Sequence, residues 1–171
     1  EVADVHAHLF RVTLTIARPA RQQRLSLPVW IPGSYLVREF AKHLHGLQAR
    51  QGARSRACVQ RDKSSWEVQA AEDQPLVLQY QVYAFDNSVR TAWLDAVRGF
   101  FNGTSLLLRV HGHEDMPHRL EVRRPEGLPG WQLATGLAPA RKLPAHGFGA
   151  YLAQDYDELA DSPVEMGAFW R

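Results

Sequence analysis

The chain has 171 residues, of which 45% are hydrophobic, 10% aromatic and 22% charged; this is enough for one domain with its own core and lies outside the range of disordered or membrane chains. Basic and acidic residues nearly balance, 20 Lys and Arg against 18 Asp and Glu for a net charge of +2, and the basic ones are scattered, so no nucleic-acid partner is expected. No apolar run approaches the roughly 18 residues a spanning helix needs, which argues against a membrane partner.

Strand patterning dominates the chain. From His6 to Ile16 the even positions His6, His8, Phe10, Val12, Leu14 and Ile16 alternate with mostly polar neighbours, which predicts one long, half-buried strand. Arg24 to Trp30 alternates through Leu25, Leu27 and Val29, and Pro32-Gly33 then marks a turn. Ser34 is placed to cap a short helix through Phe40. Shorter strands are predicted at Ala57 to Val59 and Ser65 to Val68, and a second strong one from Leu76 through Leu78, Tyr80 and Val82 to Ala84. Asp86 to Thr104 reads as a long loop, followed by strands at Ser105 to Val110, Leu120 to Val122, Trp131 to Ala134 and Gly149 to Leu152. Asp155 is placed to cap a single turn at Tyr156 to Leu159. With so little helix, the sheets must bury their apolar faces on one another. The expected fold is therefore all-β, a mostly antiparallel two-sheet β-sandwich or saddle with one or two short helical turns.

Several patterns resemble catalytic motifs and fail on geometry. His113-Glu114-Asp115-Met116-Pro117-His118 is one residue too long for H-E-x-x-H, whose four-residue spacing puts both imidazoles on one helix face. Pro117 would also break that helix. The pairs His6/His8, His43/His45 and His111/His113 could each point to one side of a strand, but a metal site needs a third ligand. They read as half-exposed strand histidines, and no metal is expected in this chain. Ser34 lacks the second glycine of a nucleophile elbow. The lone Cys58 excludes an internal disulfide without choosing a compartment, and reads as a buried small hydrophobe. Asn102-Gly103-Thr104 fits a glycosylation sequon but reads as a turn before the strand that follows. Tyr83, Phe85, Trp93, Phe100 and Phe101 cluster among Asp86, Arg90, Asp95 and Arg98, which reads either as core aromatics beside a polar loop or as a contact surface.

Four blocks carry a resemblance. Leu27-Pro28-Val29-Trp30-Ile31-Pro32-Gly33-Ser34-Tyr35-Leu36-Val37-Arg38-Glu39-Phe40 is similar to the opening block of the glycyl-aminopeptidase family of zinc metallopeptidases. So are Tyr83-Ala84-Phe85-Asp86-Asn87-Ser88-Val89-Arg90-Thr91-Ala92-Trp93-Leu94-Asp95 and Gly99-Phe100-Phe101-Asn102-Gly103-Thr104-Ser105-Leu106. The segment Tyr156 to Gly167 resembles the family's exit from its first domain. The resemblance implies an N-terminal β domain over residues 1–160 and, at 161–171, the start of a connection to a thermolysin-like catalytic domain, with a PDZ domain further on. The chain's close on Gly167-Ala168-Phe169-Trp170-Arg171, without a polar tail, agrees with a polypeptide that continues.

By the same resemblance, zinc and every catalytic residue belong to the second domain, and none is carried over here. This chain would pack on its own catalytic domain and form part of the cleft for a peptide substrate with an N-terminal glycine or other small residue. Tyr35, Arg38, Glu39, Arg90, Trp93 and Asp95 are the residues expected to face that cleft or domain. An exposed apolar patch near residues 163–171 and the long loop is the expected mark of such an interface. The competing readings are a free-standing β-sandwich that binds peptide or carbohydrate and a small metallohydrolase using the paired histidines.

Overall fold

The computed structural model describes residues 1–31 and 34–169. Strands β1 (Val2–Asp4), β2 (Leu9–Ile16) and β3 (Gln22–Ser26) precede a 3-10 turn at Phe40–His43. Then follow β4 (Leu44–Gln51), β5 (Arg54–Arg56), β6 (Cys58–Gln60), β7 (Ser65–Gln69), β8 (Leu76–Tyr83), β9 (Ala92–Leu94) and β10 (Arg98–Phe101). A short helix α1 (Gly103–Leu106) leads to β11 (Arg109–Val110), β12 (His118–Val122), β13 (Gln132–Thr135), β14 (Ala138–Pro139) and β15 (Gly149–Ala153), and α2 (Tyr156–Asp161) to β16 (Val164–Gly167).

The all-β expectation holds. Among the described residues the strands form four sheets, ordered β1-β2-β8-β4-β5, β11-β3-β7-β6, β13-β16-β10-β9 and β12-β15-β14. The pairings within them are antiparallel. All four contribute to one core, with Leu78 and Tyr80 from the first, Leu25 and Val68 from the second, Leu94, Leu133 and Met166 from the third, and Tyr151 from the fourth.

β8 is the spine. Leu76, Leu78, Tyr80 and Val82 are buried in strict alternation, and β2 lies beside it in unbroken register from Leu9 opposite Tyr83 to Ile16 opposite Leu76. A slip of one residue would turn all four side chains to the other face, each losing about 1.5–3 kcal/mol of burial. The Tyr80 hydroxyl donates to the Leu106 carbonyl at 2.7 Å and accepts from the Leu108 N–H at 3.2 Å. It therefore satisfies backbone at the end of α1 where the chain passes through the core, and burial pushes its pKa up.

Four expectations are corrected. The strand expected from His6 to Ile16 starts at Leu9, as β2, because the Asp4 carboxylate accepts from the His6 and Ala7 N–H groups and makes a turn of residues that would otherwise extend the strand. Ser34 caps no helix: its hydroxyl accepts from Leu36 N–H and Arg38 Nε, the helical geometry begins only at Phe40, and no side chain caps it. Pro32 and Gly33 lie outside the described residues. Asp86 to Thr104 is not one long loop, as β9 and β10 pair from Leu94 opposite Gly99 to Ala92 opposite Phe101. Ser105 to Val110 divides into the end of α1, an extended link and β11, and the sequon residues Gly103 and Thr104 open α1. A short apolar run buried all round carries no period by which helix and strand can be told apart.

Asp155 behaves as expected, accepting from the Glu158 N–H at 2.7 Å at the start of α2. Residues 164–167 run between β10 and β13 as β16, where Val164, Met166 and Gly167 are buried. The apolar patch expected near 163–171 is thus not found in the described part of that segment.

Candidate functional site

Exposed apolar residues instead gather on two segments. The first begins where the chain leaves β8. Phe85 bridges to Trp93 across the turn, and their rings stack at 4.3 Å with 19° between planes. On the other face of Phe85 lies the His8 ring, at 3.8 Å and 27°, with Tyr83 edge-on to His8 at 6.0 Å. His8 reaches this place through a left-handed backbone, φ 58°, and its Nδ1 lies 2.6 Å from the Leu94 carbonyl. A carbonyl only accepts, so Nδ1 carries the proton and Nε2 is the nitrogen left available. The result is a ladder of three stacked rings in which Phe85 remains 46% exposed.

Asp95 anchors the end of the ladder. Its Oδ2 accepts from Trp93 Nε1 at 3.1 Å, and its Oδ1 accepts from the Val97 and Arg98 N–H groups at 2.7 Å each. Burial acts to raise its pKa, but the hydrogen bonds from Arg98, Val97 and Trp93 outweigh that and hold the carboxyl below the usual range. One carboxylate therefore fixes both the β9–β10 turn and the tilt of the indole. Arg98 also forms a two-pronged pair with Glu165 of β16, at 2.6 and 2.9 Å, which ties the turn to the sheet.

The second segment is the loop before the 3-10 turn. Arg38 N–H donates to the Val29 carbonyl at 2.6 Å and Trp30 Nε1 to the Ser34 carbonyl at 2.8 Å. These bonds turn the loop outward: Tyr35 is fully exposed, Val37 76% exposed and Leu36 63% exposed. Arg38 Nε donates to Ser34 Oγ at 3.3 Å, and Glu39 pairs with the exposed Lys63 at 3.3 Å. A small crevice lies between the first segment and the 3-10 turn, with Phe40 and His43 on one side and Phe85, Asp86 and Thr91 on the other. Burial lowers the pKa of His43, which favours its neutral form.

Of the six residues predicted to face a cleft, the fold brings Trp93 and Asp95 into contact. Tyr35, Arg38 and Glu39 share the outward loop. Arg90 is exposed beside the crevice, its backbone N–H donating to Ser88 Oγ. Sequence reasoning missed His8 and His43 at this surface, because alternation had assigned His8 to a strand. The aromatic cluster divides: Phe100 and Phe101 are buried, whereas Tyr83, Phe85 and Trp93 reach the surface.

The paired histidines do not share strand faces. His6 lies in a turn, His43 ends the 3-10 turn, and His111 and His113 follow β11. His111 is engaged by Ser26 Oγ at 2.9 Å and Glu114 at 3.5 Å. Among the described residues no group of three or more His, Cys, Asp and Glu side chains converges as a metal would require, so these residues do not fit a zinc site. Cys58 is half-buried rather than buried, and desolvation raises its pKa.

These features define a class, an antiparallel β domain with two exposed apolar segments. The chain matches the Peptidase M61 N-terminal domain over residues 1–168 and belongs to that family. Its fold is also that of a crystal structure described as an aminopeptidase N family protein from Idiomarina loihiensis, with a TM-score of 0.91 and 44% identity over 96% of this chain. This chain spans 28% of the length of that protein. A comparison with curated proteins gave no match.

Proposed function

We propose that the chain is the non-catalytic N-terminal domain of a zinc metallo-aminopeptidase that releases N-terminal glycine or other small residues. It packs on a catalytic domain that holds the zinc and lies outside this chain, and it forms part of the peptide cleft. The observation that carries this reading is the exposure of Tyr35, Leu36 and Val37 on one loop, with the exposed Phe85 stacked on Trp93 as a second apolar surface. Apolar side chains held outward by defined hydrogen bonds are the surface a neighbouring domain would cover. Within the connection proposed for residues 161–171, Val164–Gly167 form β16.

The carboxylates divide by role. Asp95 is committed to the β9–β10 turn, whereas among the described residues the Glu39 carboxylate pairs with a solvent-exposed lysine alone, a weak pair. Glu39 is therefore the group free to receive a peptide's α-ammonium, and Tyr35 and Trp93 supply apolar contact. Arg38 holds the loop through Ser34, and Arg90 extends the polar rim.

The test compares this chain with the complete enzyme on a glycyl substrate. The chain alone gives no hydrolysis, and in the complete enzyme Glu39→Gln raises KM with little change in kcat. Hydrolysis by the pure chain, or wild-type kinetics in both Glu39→Gln and a Tyr35→Ser/Val37→Ser double variant, would overturn the reading.

A further inference from the structure

The ribbon of β4 and β5 comes apart where the chain changes sheets. β5 pairs with β4 only across Ala49–Gln51; beyond Ala57 the chain crosses to β6, which pairs with β7 in the second sheet. Leu44, His45 and Gln48 of β4 therefore pair with β8 on one side, and among the described residues no strand pairs with residues 44–48 on the other. β6 is likewise an edge strand. A groove of about 710 Å³ opens between the two edges. Leu44, Gly46 and Leu47 line one wall and Cys58 and Gln60 the other, with the buried Trp66 also contributing.

The groove has the chemistry of a vacant strand position. An extended segment laid along β4, continuing the line of β5, would meet the backbone N–H and C=O groups of that edge. Its alternate side chains would fall toward Leu44, Leu47 and Trp66. Gly46 has φ +63° and no atom within 4 Å of where a Cβ would stand, so nothing projects from that residue to block the approach. Charge selects the occupant: Arg38, Lys42 and Lys63 line the groove against the single acidic residue Glu39, and Lys63 is 91% exposed.

We infer that this groove binds an extended, acidic peptide strand from a separate polypeptide by adding it to the free edge of β4. Val37, Arg38 and Glu39 line this groove and also belong to the surface assigned above to a catalytic domain, so the inference is tested on this chain alone, where that surface is uncovered. The opposing consideration is the bulge between His45 and Gln48, since bulges also serve to keep strand edges from pairing.

Amide-resolved NMR of this chain separates an acceptor from a guarded edge. Three probes are titrated: a capped peptide of alternating valine and glutamate, its valine–lysine counterpart, and the acidic peptide N-methylated along one edge. The acidic peptide shifts the amides of residues 44–48 and 58–60, the lysine peptide binds about tenfold more weakly, and the methylated one does not bind. The double variant Lys42→Glu/Lys63→Glu changes two exposed side chains without touching the core, and reverses the charge preference. Unmoved amides in both strands, or equal binding of the methylated peptide, would overturn the inference and leave the bulge as a guard.

Discussion

Asp95 shows how one side chain can set both a turn and a surface. Its pKa is lowered in the folded protein, so its contribution to stability is present above the ordinary carboxylate value of about 3.9 and is lost as pH falls through the lower native value. Asp95→Asn should therefore be less stable than the parent at pH 7, and the difference should shrink as acid protonates the parent's carboxylate; urea unfolding at several pH values measures it. Trp93 fluorescence should change in the same variant, because the indole loses its charged acceptor. Tyr80 makes a comparable link inside the core. Tyr80→Phe leaves the buried Leu106 carbonyl and Leu108 N–H without their partner, at an expected cost of about 1–3 kcal/mol in denaturant unfolding.

Elements were legible in the sequence where one face is wet and one dry. β8 shows this in full, and α2 announced itself through the Asp155 cap. β4 was missed because its bulge interrupts the period of two, and β10 because Gly99, Phe100 and Phe101 are all buried and give no alternation. β9 was missed for its length, three residues. Of the surface, the segments around Tyr35 and Trp93 were visible through family resemblance, while the stacking of His8 on Phe85 depends on a left-handed residue that no periodicity predicts. The contact of α1 with α2 is equally hidden in the sequence. A Cβ on Gly103 would land on the Leu159 carbonyl oxygen and 2.8 Å from Ala160 Cα, and backbone cannot swing aside as a side chain can. Gly103→Ala should cost about 1–3 kcal/mol through overpacking, read as a lower unfolding midpoint with an unchanged slope.

For the whole molecule, the core and the apolar surface are separable. Tyr35, Leu36 and Val37 are exposed and lie apart from the core cluster, so replacing Tyr35 and Val37 by serine should change the unfolding free energy of this chain by no more than about 0.5 kcal/mol. The same double change should reduce self-association at high concentration, which light scattering reports. Marked destabilisation would show that the loop belongs to the core after all.

The place of β16 in its sheet has a bearing on synthesis. β10 and β13 do not pair with each other; each pairs with β16, which is made after both. A ribosome that has delivered everything up to Pro163 has released two strands whose shared neighbour is still to come. Chains emerge N-terminus first, so this sheet is completed late, and the Arg98 guanidinium waits for Glu165 until that last strand arrives.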